Sequence, residues 1–287
     1  MMQKVVIIGV GLIGGSFGLG LKSRGFTGRI AGVGRRVTLE KALARGAIDE
    51  AFEELGPALA GADLVLLAAP IMAILDLLER VRKGVPEGAL VTDVGSTKSQ
   101  IVERAAALYG DAPIFIGGHP MAGREKQGIE AAQADLFVGA PYVLTPWRIT
   151  HLETAPAREF IHWIERLGAL PVVMDAELHD QIVSWTSHLP QLAATALAAT
   201  VAESLADLED LRLSAGGLRD TTRLAESPYR VWRDICLTNT ENLEAALSAL
   251  IQKLEHLREN LRTRALEEEF RRARDLRARL SGNSSPE

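Results

Sequence analysis

Cysteine is almost missing from this chain. Its 287 residues include one, Cys236, so no disulfide can close within it and no cysteine cluster can hold a metal. That usage fits a reducing compartment, and a cytoplasmic protein is expected. Long apolar runs are missing too. The longest, Leu64 to Leu75, is broken by Pro70 and is too short to cross a bilayer. No secretory signal precedes the first predicted strand near Lys4. An excess of positive charge is also lacking. Lys and Arg number 32 against 37 Asp and Glu, a net charge of −5, which argues against nucleic acid or a membrane surface as the main partner. No internal repeat is visible. What is present is an ordinary globular balance, 47 % hydrophobic and 24 % charged, with length enough for two domains.

The first 173 residues alternate between two periods. KVVIIGVGLIGGSFGLGLKSRG (4–25) reads as strand, glycine turn and helix. Strands are predicted at 29–34, 62–70, 89–96, 114–118, 141–146 and 170–175. Helices are predicted at 38–46, 71–84, 98–110 and 157–168. Continuous apolar strands alternating with amphipathic helices predict an α/β fold, a Rossmann-type doubly wound and mostly parallel sheet. After Asp175 no strand is evident. LPQLAATALAATVAESL (189–205) is apolar on most faces and is expected to be a buried helix. Leu243, Leu247, Leu250, Leu254, Leu257 and Leu261 recur at spacings of four and three. They form either a core-facing stripe or a seam between subunits. Residues 262–280 read as a charged, solvated helix. The expected divisions are a dinucleotide-binding domain over 1–173, an all-helical domain over 174–281 and a disordered tail over 282–287.

Gly9-Val10-Gly11-Leu12-Ile13-Gly14 fits G-x-G-x-x-G. Alone the pattern is weak. Here it follows a strand and opens a helix, so Gly9, Gly11, Leu12, Ile13 and Gly14 are assigned to a dinucleotide's pyrophosphate. An NAD site usually places a carboxylate at the end of the second strand. This chain has Gly34 there, followed by Arg35 and Arg36, two guanidiniums able to pair a 2′-phosphate. NADP is therefore expected before NAD, the alternative being that both arginines are solvated surface.

Polar clusters fall at or near strand ends: DVGSTK (93–98) and His119-Pro120. His179-Asp180, Ser187-His188 and GLRDTTR (217–223) lie in the helical part. A neutral imidazole, with a pKa of about 6.5, can take the proton of a substrate hydroxyl while its carbon gives up hydride. His119, at the mouth of the apolar strand IFIGG, suits that task.

GVGLIGGSFG, DVGSTK, GGHPMAG, LFVGAPYVLTP, HDQIVSWTSHLP and GLRDTTRLA together resemble the prephenate/arogenate dehydrogenases of tyrosine biosynthesis. The likeness runs from about residue 4 to residue 240. It implies a Rossmann domain and an all-helical dimerisation domain, hence a homodimer. It further implies NAD(P)-dependent oxidative decarboxylation of a cyclohexadienyl carboxylate, with no metal. By this resemblance His119 is the catalytic base and Ser96 contacts the same hydroxyl or orients the histidine. Arg223 binds a substrate carboxylate and Ser187 touches substrate. His188 is expected to be structural, and His179 with Asp180 to brace the domain junction. Many prephenate-specific relatives read SHLPH. Gln191 replaces the last histidine here, keeps hydrogen bonding to substrate possible, and tilts expectation towards arogenate or dual use. The rival readings are a β-hydroxyacid or imine-type dehydrogenase, which a catalytic lysine in the helical part would favour, and a dinucleotide sensor without catalysis.

Overall fold

The computed structural model describes residues 2–123, 127–205 and 207–281; the tail expected over 282–287 lies outside the described residues. Two compact units are present, one ending at Thr240 and one beginning at Glu241.

The first unit is built on one eight-stranded sheet. Its strands are β1 (Lys4–Ile8), β2 (Arg29–Val33), β3 (Glu50–Phe52), β4 (Leu64–Leu67), β5 (Leu90–Asp93), β6 (Ile114–Pro120), β7 (Pro141–Pro146) and β8 (Leu170–Val173). Their order is β3-β2-β1-β4-β5-β6-β7-β8, parallel throughout except that β7 runs antiparallel to β6. The helices among them are α1 (Leu12–Ser23), α2 (Arg36–Ala44), α3 (Leu55–Leu59), α4 (Ile71–Arg82), α5 (Ser99–Tyr109) and α6 (Ala155–Arg166).

Side-chain alternation along β1 explains the two-sided core. Val5 and Ile7 face a cluster with Phe17 and Leu21 of α1 and with Phe160 and Ile164 of α6. Val6 and Ile8 face the other cluster, with Ile74 and Leu78 of α4 and Ile101 of α5. Strands buried on both faces need apolar residues at every position, which is why these segments read as unbroken apolar runs. The chain order turns back between β1 and β4, and the crevice beyond their C-terminal ends is where open α/β sheets bind ligands.

After β8 the unit is helical: α7 (Ala176–Val183), a π turn over Ser184–His188, α8 (Leu189–Ser204), α9 (Gly216–Thr222) and α10 (Tyr229–Thr238). The expectation that residues 189–205 form a helix holds, but the helix is not buried: within α8 only Gln191 and Ala194 are. Its alanine-rich side is left open in the single chain. The second unit contains α11 (Thr240–Glu259, beginning one residue earlier) and α12 (Leu266–Leu280). Leu243 on α11 is buried, whereas Leu254 is 55 % exposed, and Leu261, beyond the helix, is 71 % exposed. The chain itself therefore covers part of the leucine stripe only. No described helix is long and apolar enough to cross a membrane.

Candidate active site

The glycine turn comes first in sequence. Gly9 has φ of +95°, and a Cβ there would sit 2.3 Å from the Ala68 carbonyl oxygen. A Cβ on Gly14 would lie 2.3 Å from the Gly9 oxygen and 2.8 Å from Ile7 Cγ2, so this glycine lets α1 pack on β1. Gly11 differs: a Cβ there would meet nothing within 4 Å. It faces open space at the N-terminus of α1, whose first turn carries no acidic residue to compete with an anion. A cavity of about 290 Å³ opens here, lined by Gly11, Leu12, Ile13, Val94 and Ser96, with Asp234 on its α10 side. Carboxylate oxygen Asp234 Oδ2 accepts from the Met72 N–H at the start of α4, 3.3 Å away. These residues fit a dinucleotide. Arg35 and Arg36 lie just past β2, both exposed, and Arg36 pairs with Glu40 at 3.0 Å.

The second element is the turn after β5. Asp93 Oδ2 accepts from Gly95 N–H at 2.7 Å, and Asp93 Oδ1 from Gly118 N–H at 3.1 Å. Lys98, fully buried, donates from Nζ to Asp93 Oδ2 and to the Gly118 carbonyl at 2.8 Å. Burial lowers the Lys98 pKa, and Asp93 opposes that shift. The ammonium thus pins the end of β6 to the end of β5, one residue before His119. The two glycines of IFIGG have a matching cause. A Cβ on Gly118 would stand 2.5 Å from the Asp93 carbonyl oxygen, and one on Gly117 2.3 Å from Thr145 Oγ1. Only glycine lets β6 run this close to its neighbours at the point where it delivers the histidine.

His119 leaves β6 half-buried. Its Nδ1 is 2.9 Å from His179 Nε2, and His179 Nδ1 is 2.8 Å from Asp180 Oδ1. Asp180 also accepts from the backbone N–H groups of Lys98 (2.7 Å) and Ser99 (2.9 Å) at the start of α5. Burial alone would raise the Asp180 pKa, but the hydrogen bonds from His179, Ser99 and Lys98 outweigh it and hold the group below the usual carboxylate range. Asp180 is then an anion that only accepts. With a single proton on its ring, His179 donates from Nδ1 to Asp180 and accepts at Nε2, and His119 then donates from Nδ1 and keeps a bare lone pair on Nε2. Among the described residues no partner takes that nitrogen. Burial, reinforced by His179, Lys98 and His188, puts the His119 pKa well below the ordinary value. The ring is a neutral base at neutral pH.

It borders a second cavity, of about 360 Å³, lined by Ser96, His119, Met121, Ser187, His188 and Trp232 among others. Ser96 lines both cavities, as do Gln127, Val231 and Ile235, so the space at the glycine turn and the space before His119 adjoin along these residues. The π turn carries Ser187 and His188 to this wall.

Of the residues singled out in the sequence, the structure brings Ser96, His119 and Ser187 to one cavity, and Gly11, Leu12 and Ile13 to the adjoining one. Gln191 is placed elsewhere. It is 4 % exposed, and its Nε2 donates to the Leu224 carbonyl at 2.8 Å and to Thr195 Oγ1 at 3.2 Å. Arg223 is exposed at the head of the 3-10 turn Arg223–Glu226, four residues before Ser227 on the cavity wall. His188, expected to be structural, reaches the cavity. Lys98 was missed as a supporting residue although it lies within DVGSTK; a lysine two residues past an apolar strand's polar turn was the available signal.

Residues 17–164 match the family described as prephenate dehydrogenase, nucleotide-binding domain, and residues 175–274 match prephenate dehydrogenase, dimerization domain. A prephenate dehydrogenase of Lactococcus lactis is 39 % identical over 244 residues, 84 % of this chain and 66 % of that protein, so the chain spans just under two thirds of that relative. The structure of the Aquifex aeolicus prephenate dehydrogenase, solved with hydroxyphenyl propionate and NAD+, superposes with a TM-score of 0.89 at 33 % identity, over 99 % of each chain. The Synechocystis arogenate dehydrogenase superposes with a TM-score of 0.80 at 33 % identity, over 96 % of this chain and 99 % of that one. The chain belongs to the prephenate dehydrogenase family.

Proposed function

We propose that this chain is an NAD(P)-dependent dehydrogenase that oxidatively decarboxylates prephenate, arogenate or both. The observation that carries the reading is the bare Nε2 of His119, held by Asp180 through His179, at the cavity that meets the nucleotide space at Ser96. A bound nicotinamide would supply the hydride acceptor. As the carbon bearing the hydroxyl gives up hydride, His119 takes the hydroxyl proton. The C–CO₂⁻ bond breaks, its electron pair completes the aromatic ring and CO₂ leaves. The resulting phenolate oxygen takes the proton back from His119. Aromatisation supplies the driving force, so the protein's task is positioning and one reversible proton transfer.

Ser96 is assigned to the hydroxyl, Ser187 to substrate, and Arg223 to a substrate carboxylate through its two-pronged guanidinium. Gln191 is neutral with its amide nitrogen turned to Leu224, so no charge at that position selects a pyruvyl or an alanyl side chain; both acids are retained as substrates. NADP is the preferred cofactor, because Arg35 and Arg36 stand past β2 where a carboxylate would repel a 2′-phosphate. Residues 174–281 are the dimerisation domain of a homodimer. Support comes from the matched dimerization region and from the apolar surface left open on α8 and on α11. A β-hydroxyacid dehydrogenase would call for a lysine at this cavity, and its described walls contain none. Steady-state rates with each acid and each nucleotide test the proposal: turnover with CO₂ release is expected, and inactivity on both acids would overturn it.

A further inference from the structure

His188 sits at the last position of the π turn, 1 % exposed, on the wall of the cavity that holds His119. Its ring is braced edge-to-face by Trp232 at 5.8 Å between centroids. Behind it lies Asn239, 4 % exposed, at the C-terminal end of α10. Asn239 Nδ2 is 2.9 Å from the Asp180 carbonyl oxygen, which can only accept. That contact fixes the orientation of the amide: the atom is a donor, and it lies 3.3 Å from His188 Nδ1. His188 Nδ1 therefore accepts. Burial lowers the His188 pKa to about 4, so the ring is neutral at neutral pH and carries one proton, which must be on Nε2. Among the described residues no partner takes that N–H.

We infer that Asn239 is a positioning residue that holds His188 in the Nε2–H tautomer, making it a neutral donor for an acceptor oxygen of the substrate. The two histidines of the cavity then have opposite polarity. His119 presents a lone pair because an anion stands behind its partner. His188 presents an N–H because an amide donor stands behind it. Asp180 is common to both, through its carboxylate on one side and its main-chain carbonyl on the other. A substrate that offers a hydroxyl to one ring and a carboxylate or keto oxygen to the other satisfies both. A substrate turned end for end would face two mismatched contacts, donor to donor and acceptor to acceptor. This assignment deepens the proposed function and rests on it for the identity of the substrate.

The test is a long-range proton–nitrogen correlation spectrum of protein labelled with 15N-histidine at neutral pH, with the His188 signals identified by their loss in His188→Gln. The expected spectrum shows a protonated Nε2 and an unprotonated Nδ1 for His188. A protonated Nδ1 would overturn the assignment. In the companion measurement, Asn239→Ala should raise the substrate KM about tenfold, with kcat and cofactor KM changing less than about threefold. Equal changes in all three would make Asn239 merely structural and would also overturn it. If Asn239→Ala does not fold, the wild-type spectrum decides alone. Because the spectrum needs no turnover, a chain inactive on both acids defeats the functional reading, whereas the wrong tautomer in an active enzyme defeats this inference.

Discussion

Nδ1 of His119 lies 2.9 Å from Nε2 of His179, and the Asp180 carboxylate behind His179 dictates which of the two nitrogens carries the proton. The nitrogen that His119 leaves without a partner is thus set by a carboxylate on the far side of the His179 ring. His179→Leu removes the acceptor and lets His119 adopt either tautomer. We expect kcat to fall roughly 10- to 100-fold, the worth of one buried hydrogen bond and its orientation, with nucleotide affinity kept. Stopped-flow and fluorescence titration would measure the two quantities. An unchanged kcat would show that the relay does not orient the base.

Protonation of the buried histidines sets a limit on acid stability. The folded-state pKa of His188 is about 4 and that of His119 is also depressed, both below the unfolded value of about 6.5. Between those values the unfolded chain binds protons that the folded chain refuses. Stability is therefore complete above about pH 6.5 and declines as pH falls towards 4, with His188 alone contributing up to about 3 kcal/mol of the loss. Thermal melts from pH 7 to pH 4.5 should show the decline, and His188→Gln should flatten it. A melting temperature independent of pH over that window would contradict the burial.

Lys98 and Asp93 are both fully buried. Removing one partner strands a charge in the interior, so Lys98→Met should cost about 3–5 kcal/mol in urea unfolding. Asp93→Asn combined with Lys98→Met leaves no uncompensated charge and should recover part of that loss. If the double variant is no more stable than the single one, the pair is not the origin of the cost.

Arg35 and Arg36 follow β2 without an acidic residue at its end. Arg35→Asp with Arg36→Ala should move the ratio of kcat/KM for NADP over NAD by about tenfold or more towards NAD. No change would place the 2′-phosphate contacts elsewhere.

The sheet was legible because parallel strands buried on both faces must be apolar at nearly every residue, as β1 and β4 are. β3 was not, for the opposite reason. It is an edge strand of three residues, Glu50–Phe52, none of them fully buried, and it takes its place by pairing with β2. The short α3 that follows contains Gly56 and Pro57, which mask a helical pattern. In the site, glycine spacing and the histidine after IFIGG could be read directly. The contact of His119 with His179 joins residues 60 apart in the chain and follows no local period, so His179 could only be read as a brace. Gln191 was read from its neighbours in the motif, which line the cavity; on α8 its amide nitrogen is turned towards Leu224. The helix 189–205 misled because composition reports that a surface is apolar, not whether its own chain covers it.

In the proposed reaction His119 takes the hydroxyl proton while the adjoining nucleotide space receives hydride. The most direct measurement is kcat for His119→Asn with prephenate and with arogenate, alongside the nucleotide dissociation constant. The expected result is a fall in kcat of about 10²- to 10⁴-fold with nucleotide binding unchanged. Turnover at the wild-type rate would contradict it.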